Sequence, residues 1–285
     1  MENEEERNYL DLLKNILENG ETRNDRTGIG TKSIFGTILR FSLKENTIPL
    51  LTSKKMHVRG IIEELLFFIR GDTNTKLLEE KGVNIWRGNT SRKFLDSRNL
   101  FHYSEGMIGP MYGAQWRNFG DGKTVGEDQL KNALSLIKTD PESRRIIISA
   151  YNPNVSKLCV LDPCHFFMQF YVSGDELSCQ FQMRSVDSFL GLGYNLVCYA
   201  TLTHLMAKAS GLKANELIFV GGDTHIYNNH INQVKEQISR KPYPFPKLNI
   251  NKDIGSIEDM EDLSFENFKL DGYISHPAIK GNMAI

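Results

Sequence analysis

The sequence of 285 residues has little of what marks secreted, membrane or nucleic-acid-binding proteins. Its 34 lysines and arginines are balanced by 35 aspartates and glutamates. A chain without an excess of one charge offers no broad surface for nucleic acid or for a membrane. The longest strongly apolar run, residues 65–69, is far shorter than the roughly 20 residues of a membrane-spanning helix. The first residues are acidic and show no signal-peptide pattern, so we expect a cytoplasmic protein.

Cysteines are few and are not arranged in pairs. The four cysteines, at positions 159, 164, 179 and 198, show neither the C-x-x-C spacing of zinc and redox sites nor a secreted context. The sequence therefore predicts no disulfide framework and no metal site. A free cysteine is often a small buried hydrophobic residue. A cysteine among polar neighbours is a better candidate for chemistry, and Cys164 lies between Pro163 and His165.

The chain carries no linker, repeat or low-complexity tract, which predicts a single domain over residues 1–285. Apolar residues recur at helical spacing in some segments and alternate in others. They predict a first helix that has residues 9, 12, 13 and 16 on one face and stops at Gly20, and further helices over residues 58–70, 128–138, 195–209 and 226–239. They predict strands over residues 33–43, 145–151, 166–172, 177–183 and 217–220. Helices and hairpins interleave without regular βαβ alternation, so the sequence favours an α+β fold.

Two acidic residues, Glu63 and Glu64, lie in a predicted helix that is apolar on nearly all sides. Charged residues are almost never fully buried unless they are paired. At least one of the two carboxylates must therefore meet a polar partner, a water molecule or a ligand, and the spacing does not decide which.

Arginines near the ends of predicted elements are candidates for binding a phosphate. They are Arg26 in a glycine-containing loop, Arg144 and Arg145 before a strand, and Arg184 at the end of a hairpin. Guanidinium groups match phosphate oxygens with paired hydrogen bonds. Neighbouring arginines would also raise the ionised fraction of the Cys164 thiol. The alternatives are that these arginines face solvent and that Cys164 begins a strand without a chemical role.

The segment from Gly221 to Tyr227 is predicted to join a strand to a helix. The diglycine Gly221-Gly222 lets a ligand approach the backbone closely, and His225 and Tyr227 are then placed to hydrogen bond to a sugar. In the alternative interpretation, Asp223 or Thr224 caps the helix. The two interpretations are compatible.

In their order and spacing, these segments resemble the folate-dependent thymidylate synthase family from about Arg26 to the last residue. The motifs that carry the resemblance are Asp25-Arg26-Thr27-Gly28, Glu64-Leu65-Leu66, Gly109-Pro110-Met111-Tyr112-Gly113, Ser143-Arg144-Arg145-Ile146, Pro163-Cys164-His165, Arg184-Ser185, Asn195 and Asp223-Thr224-His225-Ile226-Tyr227. The resemblance implies a three-layer fold around a twisted mixed β-sheet, one face of which packs in a homodimer. It also implies reductive methylation of dUMP to dTMP, with 5,10-methylenetetrahydrofolate as cosubstrate and dihydrofolate as second product.

The resemblance also implies roles for particular residues. The Cys164 thiolate would add to C6 of the uracil, Glu64 and Tyr112 would hold a water that removes the C5 proton, and Asn195 would bind the pyrimidine edge. The dUMP site would comprise Arg26, Arg184, Ser185, Val186, Asp187, Asn195, His225 and Tyr227, with Arg144 and Arg145 donated by the partner subunit. The folate site would comprise His57, Trp86, Asn89, Asp187, Leu190, Gly191, Tyr194 and Ala284, with Lys54 near the folate tail. Met283-Ala284-Ile285 would close over it.

The sequence departs from the usual family pattern at five residues, which affect the expected folate site more than the nucleotide site. They are Gly193, Tyr194, Met183, Arg87 and Asp162. Asp162 precedes Cys164 by two residues, and a nearby carboxylate disfavours a thiolate. We therefore expect the Asp162 side chain to point away from Cys164.

Two other functions are compatible with the same residues. A dUMP hydroxymethylase on this scaffold would let water attack the exocyclic methylene, whereas an intact Met283-Ala284-Ile285 end favours hydride transfer. A non-catalytic binder of nucleotide or RNA would use the same arginines but would not need Cys164 or Glu64. The amide of Asn195 offers a donor and an acceptor to uracil, so we expect dUMP to be preferred to dCMP.

Overall fold

The computed structural model describes residues 3–120 and 124–283. The helices are α1 (Glu4–Asn19), α2 (Val58–Ile69), α3 (Lys76–Glu79), α4 (Arg92–Ser97), α5 (Gly113–Arg117), α6 (Gln129–Thr139), α7 (Gly191–Ser210), α8 (Ile231–Ile238) and α9 (Ile257–Glu261). The strands are β1 (Glu21–Arg23), β2 (Thr31–Ser42), β3 (Ile147–Ser149), β4 (His165–Ser173), β5 (Glu176–Asp187), β6 (Lys213–Tyr227), β7 (Lys247–Ile250) and β8 (Phe268–Asp271). Within the described ranges, no helix combines the length and the apolar character needed to cross a membrane.

A six-stranded mixed sheet organises the chain, in the order β1-β2-β6-β5-β4-β3. The β5–β6 pair is parallel and the other neighbouring pairs are antiparallel. The strands β7 and β8 form a separate antiparallel pair. The mixed sheet with its helices agrees with the predicted α+β class. The prediction that the sheet also packs against a second copy stays a prediction.

One face of the large sheet carries the core. Along β2, Leu39 and Phe41 are buried whereas Ile38 and Arg40 face outward, as strand periodicity requires. Helix α7 packs against β5 and β6, and α1 packs against β2. Because α7 is covered on most sides, its sequence is apolar nearly all round.

No described segment covers the other face of the sheet in the single chain, and this face displays several apolar side chains. Phe35 is 87% exposed, Tyr171 68% and Ile38 64%. Exposed apolar groups that share a face usually mark an interaction surface. We call this surface, with Ile147 at its β3 edge, the open sheet face.

The predicted first helix, the 33–43 strand and the β4–β5 hairpin are confirmed within one to five residues at each end. The prediction that the segment from Gly221 to Tyr227 joins a strand to a helix is wrong, because β6 continues to Tyr227 and the next α-helix begins at Ile231. Neither Asp223 nor Thr224 therefore caps a helix. The glycines serve close packing instead, since a side chain on Gly222 would lie 2.9 Å from the Arg184 carbonyl oxygen. Hydrogen bonding to β2 and β5 on both sides holds this segment as strand.

Candidate active site

The topology brings the ends of four strands, β2, β4, β5 and β6, to the same end of the sheet. The parallel strands β5 and β6 both end there, and β4 begins there because it runs antiparallel to β5. Thr31, at the start of β2, pairs with Tyr227 at the end of β6. A cleft of about 530 Å³ opens at this end of the sheet, where the four strands begin or end. We call it the Cys164 cleft; its lining includes Arg23, Arg26, Asn89, Cys164, Arg184, Ser185, Asp187, Asp223, His225, Tyr227 and Met283.

Cys164 sits immediately before β4, and its backbone is held on both sides. Its N–H donates to the Tyr112 hydroxyl at 3.0 Å, and its carbonyl accepts from the Arg184 N–H at 2.9 Å. The Arg184 side chain donates to the carbonyls of Pro163, at 3.0 Å, and Asp162, at 2.7 Å. Arg184 therefore fixes the segment that carries the sulfur as well as lining the cleft.

Burial raises the pKa of the Cys164 thiol, and the charges of Arg184 and Arg26 only partly oppose this rise. As expected of neighbouring arginines, Arg184 and Arg26 lower the pKa of Cys164, but their effect is smaller than that of burial. Desolvation outweighs them, because a thiolate loses hydration when it is buried. The Asp162 carboxylate accepts a hydrogen bond from the Ser156 hydroxyl, yet its charge still raises the pKa of Cys164.

The two acidic residues of α2 have different partners. Glu63 is paired with Lys81 at 2.6 Å. Glu64 accepts a hydrogen bond from the indole N–H of Trp86 at 2.7 Å. Burial raises the pKa of Glu64 to about 7, against the lowering effect of the Trp86 hydrogen bond. A carboxyl group with this pKa can both take up and release a proton near neutral pH.

An aromatic cluster joins Glu64 to Cys164. The Tyr112 ring lies 6.1 Å from the Trp86 ring and stacks on the His165 ring at 4.0 Å. His165 and the Tyr199 hydroxyl share a hydrogen bond of 2.9 Å. Burial lowers the pKa of His165 to about 3, so this ring is neutral and supports Tyr112 from the core side. His165 is buried and is not among the described residues that line the Cys164 cleft.

Asp187 ends β5 and begins the turn into α7. Its carboxylate accepts from the N–H groups of Phe189, at 3.1 Å, and Leu190, at 3.0 Å. One turn into the helix, the Asn195 amide donates to the Met183 sulfur at 3.6 Å. The Val186 side chain, by contrast, is fully buried in the core, so at most its backbone is available to a ligand.

Arg144 and Arg145 lie apart from the other predicted phosphate ligands. Both side chains are exposed, and they precede β3 at the far edge of the sheet. The Arg144 carbonyl accepts from the Gln169 side chain at 3.3 Å. Neither arginine is among the described residues that line the Cys164 cleft of its own chain.

Residues 7–285 match the family model described as Thymidylate synthase. The chain belongs to the thymidylate synthase family. It is 46% identical over 289 residues to "Thymidylate synthase 1/2" of Encephalitozoon cuniculi, covering 98% of this chain and 97% of that one. It is 45% identical over 296 residues to "Thymidylate synthase" of Agaricus bisporus, covering 99% of each. Family membership confirms the prediction made from the motifs.

Longer relatives are similar over the same region. "Bifunctional dihydrofolate reductase-thymidylate synthase" of Paramecium tetraurelia is 46% identical over 292 residues, which are 100% of this chain and 62% of the relative. The Zea mays protein of the same name is 47% identical over 289 residues, 99% of this chain and 55% of the relative. The chain thus spans little more than half the length of these relatives.

The structure brings only some of the residues that were predicted to bind folate to the Cys164 cleft. Asn89 is buried in the cleft wall and Met283 also lines the cleft, while Trp86 adjoins it through Tyr112. Of the other predicted folate residues, Leu190 and Gly191 begin α7, and Tyr194 follows within its first turn. Ala284, like Ile285, lies outside the described residues.

Two basic residues were predicted near the folate tail. His57 is exposed, and its backbone hydrogen bonds to the Tyr194 side chain. Lys54 is instead buried over the Phe189 ring, 3.8 Å from its centre, and donates to the Phe189 carbonyl. Burial lowers the pKa of Lys54 to about 8. Lys54 therefore supports the turn into α7 and does not reach outward.

Proposed function

We propose that the protein catalyses reductive methylation of dUMP to dTMP with 5,10-methylenetetrahydrofolate, yielding dihydrofolate, through a covalent bond between Cys164 and C6 of the uracil. One observation carries the proposal: the Cys164 cleft brings a cysteine together with four arginines and a histidine–tyrosine pair, and the rings of Trp86 and Tyr112 connect this cysteine to Glu64. The arginines suit a phosphate, the pair suits a sugar, and the cysteine suits addition to a polarised ring.

Charge balance in the cleft supports a contribution from a second subunit. Four arginines (23, 26, 98 and 184) and four aspartates (25, 162, 187 and 223) line it. Their formal charges cancel, whereas a phosphate monoester brings about −1.5 to −2 at neutral pH. Arg144 and Arg145 of a partner subunit would supply the missing positive charge. They would also oppose the rise in the pKa of Cys164 that burial causes in the single chain.

The open sheet face is the surface through which we propose that the homodimer forms. It displays Phe35, Ile38 and Tyr171 to solvent in the single chain. Arg144 and Arg145 immediately precede β3, where Ile147 lies on the same face. Packing two such faces together removes apolar surface from water and brings these arginines toward the partner.

Mixed dimers test this arrangement. Arg144→Ala and Cys164→Ala proteins should each be inactive, and their equimolar mixture after subunit exchange should regain about a quarter of wild-type activity per subunit. One site of each heterodimer then has both its own Cys164 and the partner's Arg144. The matched control mixes Arg26→Ala with Cys164→Ala, where no heterodimer site is complete, and should stay inactive. If the Arg144→Ala mixture also stays inactive although heterodimers form, the partner-arginine proposal is wrong.

The proposed chemistry begins with addition of the Cys164 thiolate to C6, which moves an electron pair toward C5 and O4. The Asn195 amide stabilises the charge at the pyrimidine edge through hydrogen bonds. When bound, methylenetetrahydrofolate supplies the one-carbon unit and the hydride that make the methyl group. A water held by Glu64 and Tyr112 takes the proton from C5. Reversal of the sulfur–C6 bond then releases dTMP and restores the thiolate.

The dUMP hydroxymethylase is the second candidate, and the aromatic wall weighs against it. The Trp86 N–H is bonded to Glu64, and the Tyr194 side chain is hydrogen bonded to the backbone of His57. The single N–H of Trp86 is therefore not available to a water that would attack the exocyclic methylene. A wall that excludes water favours hydride transfer.

Turnover with dUMP and methylenetetrahydrofolate as the only substrates tests the proposal. We expect dihydrofolate absorbance to rise in step with dTMP, with dUMP preferred to dCMP by about 10⁴ or more in kcat/KM. Mass spectrometry of the products separates the candidates. If 5-hydroxymethyl-dUMP dominates, the hydroxymethylase is the function. If nucleotide binds without any product, the protein is a binder.

A further inference from the structure

Three cleft residues form a chain of hydrogen bonds that the proposed chemistry leaves unused. The Arg23 guanidinium donates to one oxygen of the Asp223 carboxylate at 2.8 Å. The other oxygen of Asp223 lies 3.0 Å from Nδ1 of His225. All three side chains line the Cys164 cleft.

Backbone pairing holds the three hydrogen-bonded side chains in place. Asp223 and His225 are two residues apart on β6 and so point to the same side of the sheet. They pair with β2 on one side and with β5 on the other, where Asp187 lies opposite His225. Arg23 comes from β1, just before the loop that carries Arg26. The ion pair of Arg23 with Asp223 therefore also ties that loop to the sheet.

The hydrogen bonds of Asp223 determine which nitrogen of a neutral His225 ring carries the hydrogen. An ionised carboxylate only accepts hydrogen bonds, so the ring nitrogen beside Asp223 must donate. Nδ1 then carries the hydrogen, and Nε2 presents a lone pair. The His225 side chain is only 9% exposed, and its ring meets the Tyr227 ring edge-on at 5.1 Å. Among residues 3–120 and 124–283, no protein group hydrogen bonds to Nε2.

We propose that Asp223, clamped by Arg23, is a positioning residue that holds His225 in the Nδ1–H form with Nε2 as the acceptor for a sugar hydroxyl of the nucleotide. This inference rests on the proposed function. In dUMP, C5′ carries the phosphate and C2′ carries no hydroxyl, so the free hydroxyl is on C3′. Asp223 thereby contributes to recognition of the deoxyribose without touching it.

The variant Asp223→Asn separates positioning from simple packing. An arginine only donates, so the oxygen of the new amide turns to Arg23 and its NH₂ group faces Nδ1 of His225. Nδ1 must then accept, and the ring hydrogen moves to Nε2. The variant has almost the same size as the parent but the opposite histidine tautomer.

Nitrogen NMR of protein labelled with ¹⁵N-histidine reads the tautomer without any turnover. The His225 signals are assigned from their loss in His225→Gln, and spectra are taken above the pH at which the ring becomes neutral. We expect the hydrogen on Nδ1 in the parent and on Nε2 in Asp223→Asn. A parent ring with its hydrogen on Nε2, or a tautomer unchanged by the substitution, would overturn the inference even if the enzyme converts dUMP.

Kinetics with dUMP and 2′,3′-dideoxyuridine monophosphate test the functional consequence. The parent should prefer dUMP by about 10-fold to 100-fold in kcat/KM, because the dideoxy analogue leaves His225 unpaired. This preference should fall to within about 3-fold in Asp223→Ala and His225→Ala, and the double variant should lose no more than either single one. The control Asp175→Asn removes an aspartate–lysine ion pair at the β4–β5 turn and should keep the preference.

The outcomes are distinct from those that test the function. If Asp223→Ala slows both nucleotides equally and keeps the preference, Asp223 has only a structural role and the inference is wrong. If the parent turns over neither nucleotide, the proposed function fails, and the NMR result alone then decides whether Asp223 sets the tautomer.

Discussion

Replacing Cys164 by alanine should lower kcat for dTMP formation at least about 10⁴-fold, the scale of losing a covalent nucleophile. Without the sulfur, nothing adds to C6 and C5 does not become electron-rich. Binding of dUMP should change by less than about 10-fold, because the arginines and the sugar-binding pair remain. The measurement is dihydrofolate absorbance for turnover and calorimetry for nucleotide binding.

The matched control is Cys179→Ala, which removes a buried thiol from the core side of β5. It should cost stability through a small cavity and leave kcat nearly unchanged. Turnover by Cys164→Ala within 10-fold of the parent would contradict a covalent role for this residue. A loss of the same size in Cys179→Ala would show that the assay reports folding.

Replacing Glu64 by glutamine should lower kcat by about 10²-fold to 10³-fold, which is typical of a lost proton-transfer group. The burial that raises the pKa of Glu64 to about 7 also predicts an ionisation near pH 7 in the rate profile of the parent. This ionisation should be absent from the glutamine variant, whose amide still accepts from Trp86. If the rate changes with pH near pH 7 in the same way in both proteins, the ionisation belongs to a group other than Glu64.

The same substitution should stabilise the fold at alkaline pH. Glu64 has a higher pKa when folded than when unfolded, so the parent loses stability as pH rises from about 4.5 to about 7. At about 1.4 kcal/mol per pKa unit, the variant should gain up to about 3 kcal/mol at pH 8 and only about 1 kcal/mol at pH 5.5. Urea unfolding at fixed protein concentration measures both values.

The neighbouring substitution Glu63→Gln is the control for this effect. Glu63 is paired with Lys81, so its loss leaves a charge without its partner and should destabilise the protein. The prediction is contradicted if the difference in unfolding free energy between Glu64→Gln and the parent is the same at pH 5.5 and at pH 8. Burial would then not hold the Glu64 carboxyl group protonated.

The spacing of apolar residues along the sequence was enough to predict the helices and strands that have one buried face or are buried on all sides. The alternation of Leu39 and Phe41 marked β2, and the apolar character of α2 and α7 marked them as buried. The segment from Gly221 to Tyr227 was misjudged because glycines favour turns only when nothing else holds the backbone. Here, hydrogen bonds to two neighbouring strands override that preference.

For the candidate site, too, the sequence indicated some features and the fold alone established others. The motifs predicted its residues, but sequence spacing did not distinguish Glu63 from Glu64, because Lys81 and Trp86 reach α2 from a distant segment. The contacts of Asp223 with Arg23 and of His165 with Tyr112 join residues far apart in the chain. Nor did the motifs show that burial outweighs the arginines around Cys164, because desolvation depends on the whole surrounding fold.

Mass spectrometry of the acid-quenched protein tests most directly whether the Cys164 sulfur bonds to uracil. Incubation with methylenetetrahydrofolate and a 5-fluoro analogue of dUMP puts fluorine where the departing C5 proton would be, so the bonded species should accumulate. We expect a mass increase that includes the nucleotide, located on the peptide that contains Cys164 and absent from Cys164→Ala. A protein that forms dTMP yet carries no nucleotide on Cys164 under these conditions would contradict the covalent mechanism.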